Sequence, residues 1–167
     1  CVGREGMESP PHLTAKSEFI QIAEFCGTCH NEMSPYDVWV KSTQLEYAEG
    51  PYPEMGITCH DCHMPPGEGR LAIMGAEKVD DRRNHLFHGA HHQSKLAGVV
   101  EMVMWTEHPT CLPGDPVTLQ IALFNGKAGH KVPSGSAEER QLWVTVHAVD
   151  ADGNRYHIPV EKKGFEG

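Results

Sequence analysis

The chain has 167 residues, which allows one domain or two small ones. Only 39% of the residues are hydrophobic and 7% are aromatic, so protein side chains alone can build only a modest core. The net charge of −9 excludes nucleic-acid binding that relies on Lys and Arg to neutralise phosphates, and it permits attraction to a basic partner. No stretch reaches the roughly 20 apolar residues that a membrane-spanning helix needs.

The first 97 residues are rich in His, Pro and Gly and show few regular patterns. Apolar residues from Ser17 to Phe25 recur at helical spacing and predict a short helix, and residues 37–47 predict a second one. Prolines and glycines predict a loop at 65–69. The charged segment 78–84 predicts a solvated stretch.

After residue 97 the apolar residues alternate with a period of two. The pattern predicts four strands, at 100–105, 118–123, 142–149 and 156–160, and Asp150-Ala151-Asp152-Gly153 predicts a hairpin turn between the last two. Four strands suggest an incomplete β-sandwich, because such folds usually have about seven. Either a partner completes the sandwich or the chain is part of a longer one, and we favour the second interpretation.

Two complete C-x-x-C-H motifs run from Cys26 to His30 and from Cys59 to His63. In this motif two thiols attach a haem covalently, and the histidine binds the iron from the proximal side. A C-x-x-C pair without its histidine would instead indicate zinc or dithiol chemistry. The sequence therefore predicts two covalent haem c groups, attached through Cys26, Cys29, Cys59 and Cys62, with His30 and His63 as proximal ligands.

These observations predict an α+β fold dominated by haem. Residues 1–97 would form an irregular and helical dihaem part, and residues 98–167 an incomplete β-sandwich-like part. The distal ligand of each iron decides the chemistry, since a second histidine closes the site and an open face invites catalysis. Ten of the twelve histidines remain after the proximal pair. The candidate distal ligands are the cluster His85, His88, His91 and His92 and two separate residues, His130 and His12.

Several segments together resemble the periplasmic or extracellular multihaem c-type cytochromes. They are Phe25–Asn31, Thr43–Tyr47, Gly56–Pro65, the run His85-x-Phe87-x-Gly89 and the run from Asn125 to Gly135 that contains Gly129-His130-x-x-Pro133-Ser134-Gly135. The resemblance implies closely packed haems, each held between two histidines. It favours His85 and His130 as distal ligands, ahead of His91, His88 and His12. Many relatives carry four or more motifs, whereas this sequence has two.

The expected function is electron transfer by mainly bis-histidine haems, since the histidines outnumber what two irons require. One alternative is a redox enzyme, or a fragment of one, with an open catalytic haem near Arg82 and Arg83. Another is a haem module of a larger cytochrome assembly. We favour an electron carrier over an enzyme. The expected partners are redox proteins and other cytochrome subunits or haems, without nucleic acid.

The remaining cysteines are Cys1 and Cys111. A cysteine at position 1 is what lipoprotein processing leaves, although an arbitrary start or a Cys1–Cys111 disulfide in an oxidising compartment also fits. We expect a location in the periplasm of a prokaryote, or outside the cell or on its outer surface, with membrane attachment only through a lipid on Cys1.

Overall fold

The computed structural model describes residues 2–3, 15–70 and 78–160. The contacts divide the chain into two units, Cys1–Ala137 and Glu138–Gly167. The change of composition after residue 97 does not coincide with this division, and a domain boundary at 97 stays a prediction. None of the helices among the described residues is long and apolar enough to cross a membrane.

Among its described residues, the first unit has four short α-helices: α1 (Ala23–His30), α2 (Thr43–Ala48), α3 (Cys59–His63) and α4 (Gln93–Leu96). The helix predicted at residues 17–25 starts later than expected. A 3-10 turn at Phe19–Gln21 is followed by Ile22, whose extended backbone separates the turn from α1. As a result α1 contains the whole first C-x-x-C-H motif.

The described strands form five separate two-stranded sheets. The pair β1 (Val2–Gly3) and β2 (Ala15–Lys16) is parallel. The other four pairs are antiparallel: β3 (Asn31–Met33) with β4 (Trp39–Ser42), β5 (Pro66–Arg70) with β6 (Lys78–Arg83), β7 (Val100–Thr106) with β8 (Leu119–Asn125), and β9 (Val146–Val149) with β10 (Arg155–Ile158). The fold is therefore mixed helix and strand with small sheets, and a β-sandwich stays a prediction.

The helix predicted at residues 37–47 is wrong in its first half, where the structure has strand β4. Asp37 adopts a left-handed backbone with φ of 58°, which aspartate tolerates better than most residues. The backbone amides of residues 34 and 37 bond within this turn, so the chain reverses into a hairpin. Trp39 and Val40 then favour an extended strand, because aromatic and β-branched side chains fit a pleated surface. The helix begins only at Thr43.

The strands predicted near residues 100 and 118 are confirmed as β7 and β8, paired from Val100↔Asn125 to Thr106↔Leu119. In the second unit the hairpin turn is confirmed as well. Asp150 accepts hydrogen bonds from the backbone amides of Asp152 and Asn154, so its side chain closes the turn. The strand predicted from residue 142 starts only at residue 146. In the first unit, the segment 78–84, which was expected to be a solvated stretch, contains strand β6.

Protein side chains bury little of this structure. Among the described residues only Ala23 and His60 are buried, with exposed fractions of 6% and 8%. Large apolar side chains such as Phe25, Trp39 and Leu86 remain 41–53% exposed. The described part of the first unit therefore depends on short helices and polar contacts rather than on a packed apolar core of its own.

Helix α3, which carries the second motif, is stabilised at its start by a capping box between Thr58 and Asp61. The Asp61 carboxylate accepts hydrogen bonds from the Thr58 amide at 2.7 Å and from the Thr58 hydroxyl at 3.0 Å. The hydrogen bond from the Thr58 amide lowers the pKa of Asp61 below its ordinary value of 3.8, helped by the nearby Arg83. The cap therefore stabilises the fold only while Asp61 is ionised.

Asp61→Ala is expected to lower the free energy of unfolding by about 1 kcal/mol at pH 7, because a capping acceptor is lost. Because folding lowers the pKa of Asp61, the difference in free energy of unfolding between the variant and the parent chain should persist above pH 4. It should vanish as the pH falls through that lowered pKa. Denaturant unfolding at several pH values measures it. Asp80→Ala, at an exposed position of β6, is the control, and a pH-independent difference for Asp61→Ala would contradict the cap.

Candidate haem-binding site

The first C-x-x-C-H motif is attached to α2 through the residue that follows it. The Asn31 side-chain oxygen accepts hydrogen bonds from the backbone amides of Gln44 at 3.1 Å and Leu45 at 3.4 Å, and its amide donates to Gln44 Oε1 at 2.9 Å. Asn31 thus satisfies amides at the start of α2 that lack partners within the helix. Gly27 fits this junction because a Cβ there would lie 3.0 Å from the Asn31 and Gln44 side chains. The end of α1, at His30, is fixed by this contact.

The second motif is also linked to α2. Tyr47 donates its hydroxyl to the Ile57 carbonyl at 2.9 Å, just before α3 begins. Partial burial, with the nearby Cys59 as a further cause, raises the pKa of Tyr47, so the phenol stays protonated and keeps donating. His60, inside the motif, is buried and hydrogen-bonds to the Ile20 backbone, so it packs α3 against the segment that precedes α1.

The two motifs meet at their first cysteines, where the side chains of Cys26 and Cys59 share a hydrogen bond. That bond lowers the pKa of the Cys26 thiol to about 7, and together with partial burial it raises the pKa of Cys59. Thioether attachment would remove both protons and leave the two sulfurs as neighbours. The attachment points of the two motifs are therefore adjacent.

Each of the two histidines predicted as proximal ligands lies opposite a histidine from a distant part of the chain. The ring centres of His30 and His85 are 6.1 Å apart with planes 14° from parallel, and those of His63 and His130 are 6.3 Å apart at 23°. Parallel rings in face-to-face contact would lie about 3.5–4.0 Å apart. Two imidazoles on opposite sides of one metal ion instead place their centres roughly 6 Å apart, given metal–nitrogen bonds of about 2.0–2.1 Å. Both separations match this second arrangement.

The proximal imidazoles have lowered pKa values. Partial burial is the main cause for both, and it is reinforced at His30 by the charges of His85 and Lys41, and at His63 by those of His130 and Lys95. Neutral imidazole is the form that binds a metal, so both shifts favour ligation.

The His130 ring is oriented by its own backbone. Its Nδ1 lies 2.9 Å from the Lys131 carbonyl oxygen, so Nδ1 carries the proton and Nε2 is left as the acceptor. His63 likewise hydrogen-bonds to the backbone of His88. In metal sites such a bond from the second ring nitrogen fixes the tautomer and the ring orientation. Both histidines of this pair have that bond.

The loop that carries His130 is held from two sides. The Asn125 amide donates to the carbonyls of Ala128 at 3.0 Å and His130 at 2.8 Å. On the other side, Tyr52 donates its hydroxyl to the Lys127 carbonyl at 2.8 Å, and its ring lies against Gly129. A side chain at residue 129 would overlap the Tyr52 ring, so glycine is required for this close approach.

His85 is exposed and makes an edge contact with Phe87, with ring centres 4.2 Å apart. Phe87 has a left-handed backbone with φ of 57°, an unfavourable conformation for a bulky residue. Strained residues of this kind concentrate at functional sites, where surrounding contacts over-determine them. The contact gives His-x-Phe a physical role, since the Phe87 ring supports the imidazole.

The other candidate distal ligands are placed differently. His88 and His92 stack on each other with centres 3.8 Å apart, and His92 contacts the Ser94 hydroxyl. His91 lies exposed in the same loop. His12 and Cys1 lie outside the described residues, so those predictions are untested. The described part of the chain contains no group of three or more His, Cys, Asp or Glu side chains suited to hold a metal ion on its own.

Sequence reasoning assigned no role to the polar residues that hold the site together. Glu46 and Tyr47 belong to the Thr43–Tyr47 segment, which was noted only for its resemblance to other cytochromes. Asn31 and Asn125 likewise belong to segments that were noted only for that resemblance. Tyr52 had no signal at all in the sequence.

The side chains present fit haem c. Each motif offers two thiols and an imidazole on one helix, and a second imidazole faces the first at the separation that an iron between them requires. Cysteine pairs with this histidine arrangement define a c-type cytochrome.

Comparison with known proteins gives the same class and a family. Residues 12–105 match the NapC/NirT cytochrome c family, N-terminal region, and because the match covers more than half of the chain, this protein belongs to that family. A 56-residue stretch is 36% identical to the cytochrome c-type protein TorC of Escherichia coli (strain K12), and equally to TorC of Escherichia coli O157:H7. That stretch is 34% of this chain and only 13% of each relative. No solved structure matches the chain.

Gly129→Ala is expected to lower the free energy of unfolding by about 1–3 kcal/mol, because the new methyl group would overlap the Tyr52 ring. The His130 loop should also loosen. Thermal and denaturant unfolding measure the change. Gly67→Ala is the matched control, since its Cβ would meet only a carbonyl oxygen at 3.9 Å. Equal stability of the two variants would contradict the close contact.

Proposed function

We propose that this chain is a dihaem electron-transfer module in which each haem iron is bound by two histidines. His30 and His85 would hold the haem attached to Cys26 and Cys29. His63 and His130 would hold the haem attached to Cys59 and Cys62. The proposal rests on the two parallel imidazole pairs, 6.1 and 6.3 Å between ring centres.

The two histidine pairs favour a relay over an enzyme. Haem supplies a one-electron couple when bound, and a second histidine leaves no open coordination position for a substrate. An electron then enters and leaves without any bond being made or broken, so the side chains have only to keep both ligands in place. Arg83, considered above for a catalytic pocket, instead pairs with Asp61 and Asp81 and donates to the Met64 carbonyl at 3.2 Å.

The contact between Cys26 and Cys59 supports direct electron passage between the two haems. Because each sulfur is an attachment atom, the edges of the two macrocycles would lie side by side there. Electrons would then pass from one macrocycle to the other without an intermediate side chain.

The proposed redox partner and cellular location follow from the family and from the net charge of the chain. A chain with net charge −9 would attract a basic face of a redox partner, and haem propionates would add to that charge. Covalent haem and the family together favour a periplasmic or extracellular location. Since the curated relatives are much longer than the matched stretch, this dihaem unit would work beside further haems or cytochrome subunits.

Intact-mass analysis of the coloured protein is expected to find two haems per chain. Cys26→Ala with Cys29→Ala should lose one haem, and Cys59→Ala with Cys62→Ala should lose the other. Cys111→Ala is the control, because its exposed thiol lies in neither motif and its loss should leave the mass of both haems in place. A parent mass with one haem or none would refute the dihaem proposal.

His85→Ala and His130→Ala are each expected to convert one of the two low-spin haems into a high-spin haem that binds carbon monoxide. Each variant should lose half of the low-spin signal in the reduced and oxidised spectra, because one iron loses its distal ligand. His91→Ala is the control from the same histidine-rich loop and should retain both signals. Spectra of His85→Ala or His130→Ala that match the parent would remove that residue as a ligand.

A further inference from the structure

Glu46 joins α2 to the loop that carries His130. One carboxylate oxygen, Oε2, accepts hydrogen bonds from the Ser134 hydroxyl at 2.7 Å and from the Lys131 backbone amide at 3.1 Å. The other, Oε1, accepts from the Ser42 hydroxyl at 3.0 Å. The carboxylate therefore accepts two hydrogen bonds from the loop and one from Ser42, in the strand before α2.

A second contact runs beside it. The hydroxyls of Thr43 and Ser134 are 2.9 Å apart. Because the single proton of Ser134 goes to Glu46, the Thr43 hydroxyl must donate to Ser134. The order of donation is therefore Thr43 to Ser134 to Glu46, and the carboxylate is the final acceptor for the loop.

Both hydrogen bonds that Glu46 accepts from the loop come from residues that follow His130 in the sequence, Lys131 and Ser134. Lys131, whose amide binds Glu46, is also the residue whose carbonyl accepts from His130 Nδ1. Asn125 and Tyr52 hold the N-terminal side of the loop through residues 127–130. Without Glu46, Lys131, whose carbonyl orients the His130 ring, would lose its hydrogen bond to α2 and would be held through the bond from Asn125 to the preceding His130 carbonyl.

We infer that Glu46 is a positioning residue, which keeps His130 on the iron through its hydrogen bonds with Lys131 and Ser134. The inference rests on the proposed ligation of the second haem by His130. Two hydrogen bonds to this one carboxylate hold Lys131 and Ser134, which lie one and four residues beyond His130 in a mostly half-buried loop. Loss of the carboxylate should increase the population in which His130 has left the iron on the order of ten- to a hundredfold.

The test uses carbon monoxide as a probe of the reduced holoprotein, because it can bind a bis-histidine iron only after one histidine leaves. Glu46→Ala is expected to speed carbon monoxide binding about ten- to a hundredfold, with an amplitude that corresponds to one haem. Alanine keeps the helix propensity of α2 high, so the helix itself should remain. Ser134→Ala removes only one of the two loop bonds and should give a smaller increase.

Two variants separate positioning from charge and from general damage. Glu46→Gln keeps an oxygen acceptor for Ser134 and Lys131 and offers its amide to Ser42, so the parent rate should return to within about twofold. Glu49→Ala removes the same charge from an exposed residue that follows α2 directly, and it should leave the rate unchanged.

The outcomes are distinct. If Glu46→Ala behaves like Glu49→Ala while His130→Ala binds carbon monoxide at one haem, Glu46 does not position the ligand, although the proposed function stands. If Glu46→Gln is as fast as Glu46→Ala, the charge rather than the hydrogen bonds matters, and the inference fails. If His130→Ala leaves the spectrum unchanged, both the ligand assignment and the role of Glu46 are overturned.

Discussion

The six-residue helix α2 is the constraint on which the rest of the first unit depends. Its first amides are bonded by Asn31 at the end of the first motif, and its Tyr47 bonds to the chain entering the second. Its Glu46 accepts from the loop that carries His130. A helix this short is not stable by itself in water. Its stability and the geometry of both motifs are therefore mutually dependent.

This arrangement explains how four histidines are positioned in a chain whose described residues bury so little apolar surface. Hydrogen bonds are directional, and they fix distances that a loose apolar cluster would leave variable. A large macrocycle in the space between the paired imidazoles would cover exposed apolar side chains such as Phe25 and Leu86. Polar contacts would then set the ligand geometry, and the cofactor would supply most of the apolar core.

The sequence was most informative where a motif or a period is local. The two C-x-x-C-H runs, the alternation in β7 and β8 and the turn at Asp150 are each contained within a few residues, and physical rules apply to them directly. The error at Trp39 arose because apolar spacing over residues 37–47 fits a helix, while one left-handed aspartate starts a hairpin. The spacing of apolar residues along the sequence carries no information about a single backbone angle of this kind.

The supporting contacts could not be foreseen because they connect distant positions. Glu46 and Ser134 are 88 residues apart, and no spacing rule links them. His85 and His130 could be favoured as distal ligands from the resemblance alone, whereas His88, in the same cluster as His85, contributes its backbone to His63. Composition supplied the surplus of histidines, but which histidine lies opposite which depends on tertiary structure.

The separation of these contacts along the chain also sets the order in which the site can assemble. Each proximal histidine belongs to the helix that carries its own cysteines, so it is available as soon as that helix forms. The His130 loop reaches α2 across 85 to 91 residues. Closing so long a loop costs entropy before any contact is gained, which makes it a late event in folding. During synthesis the second motif would have to wait for His130, its proposed distal ligand, while the intervening chain is made.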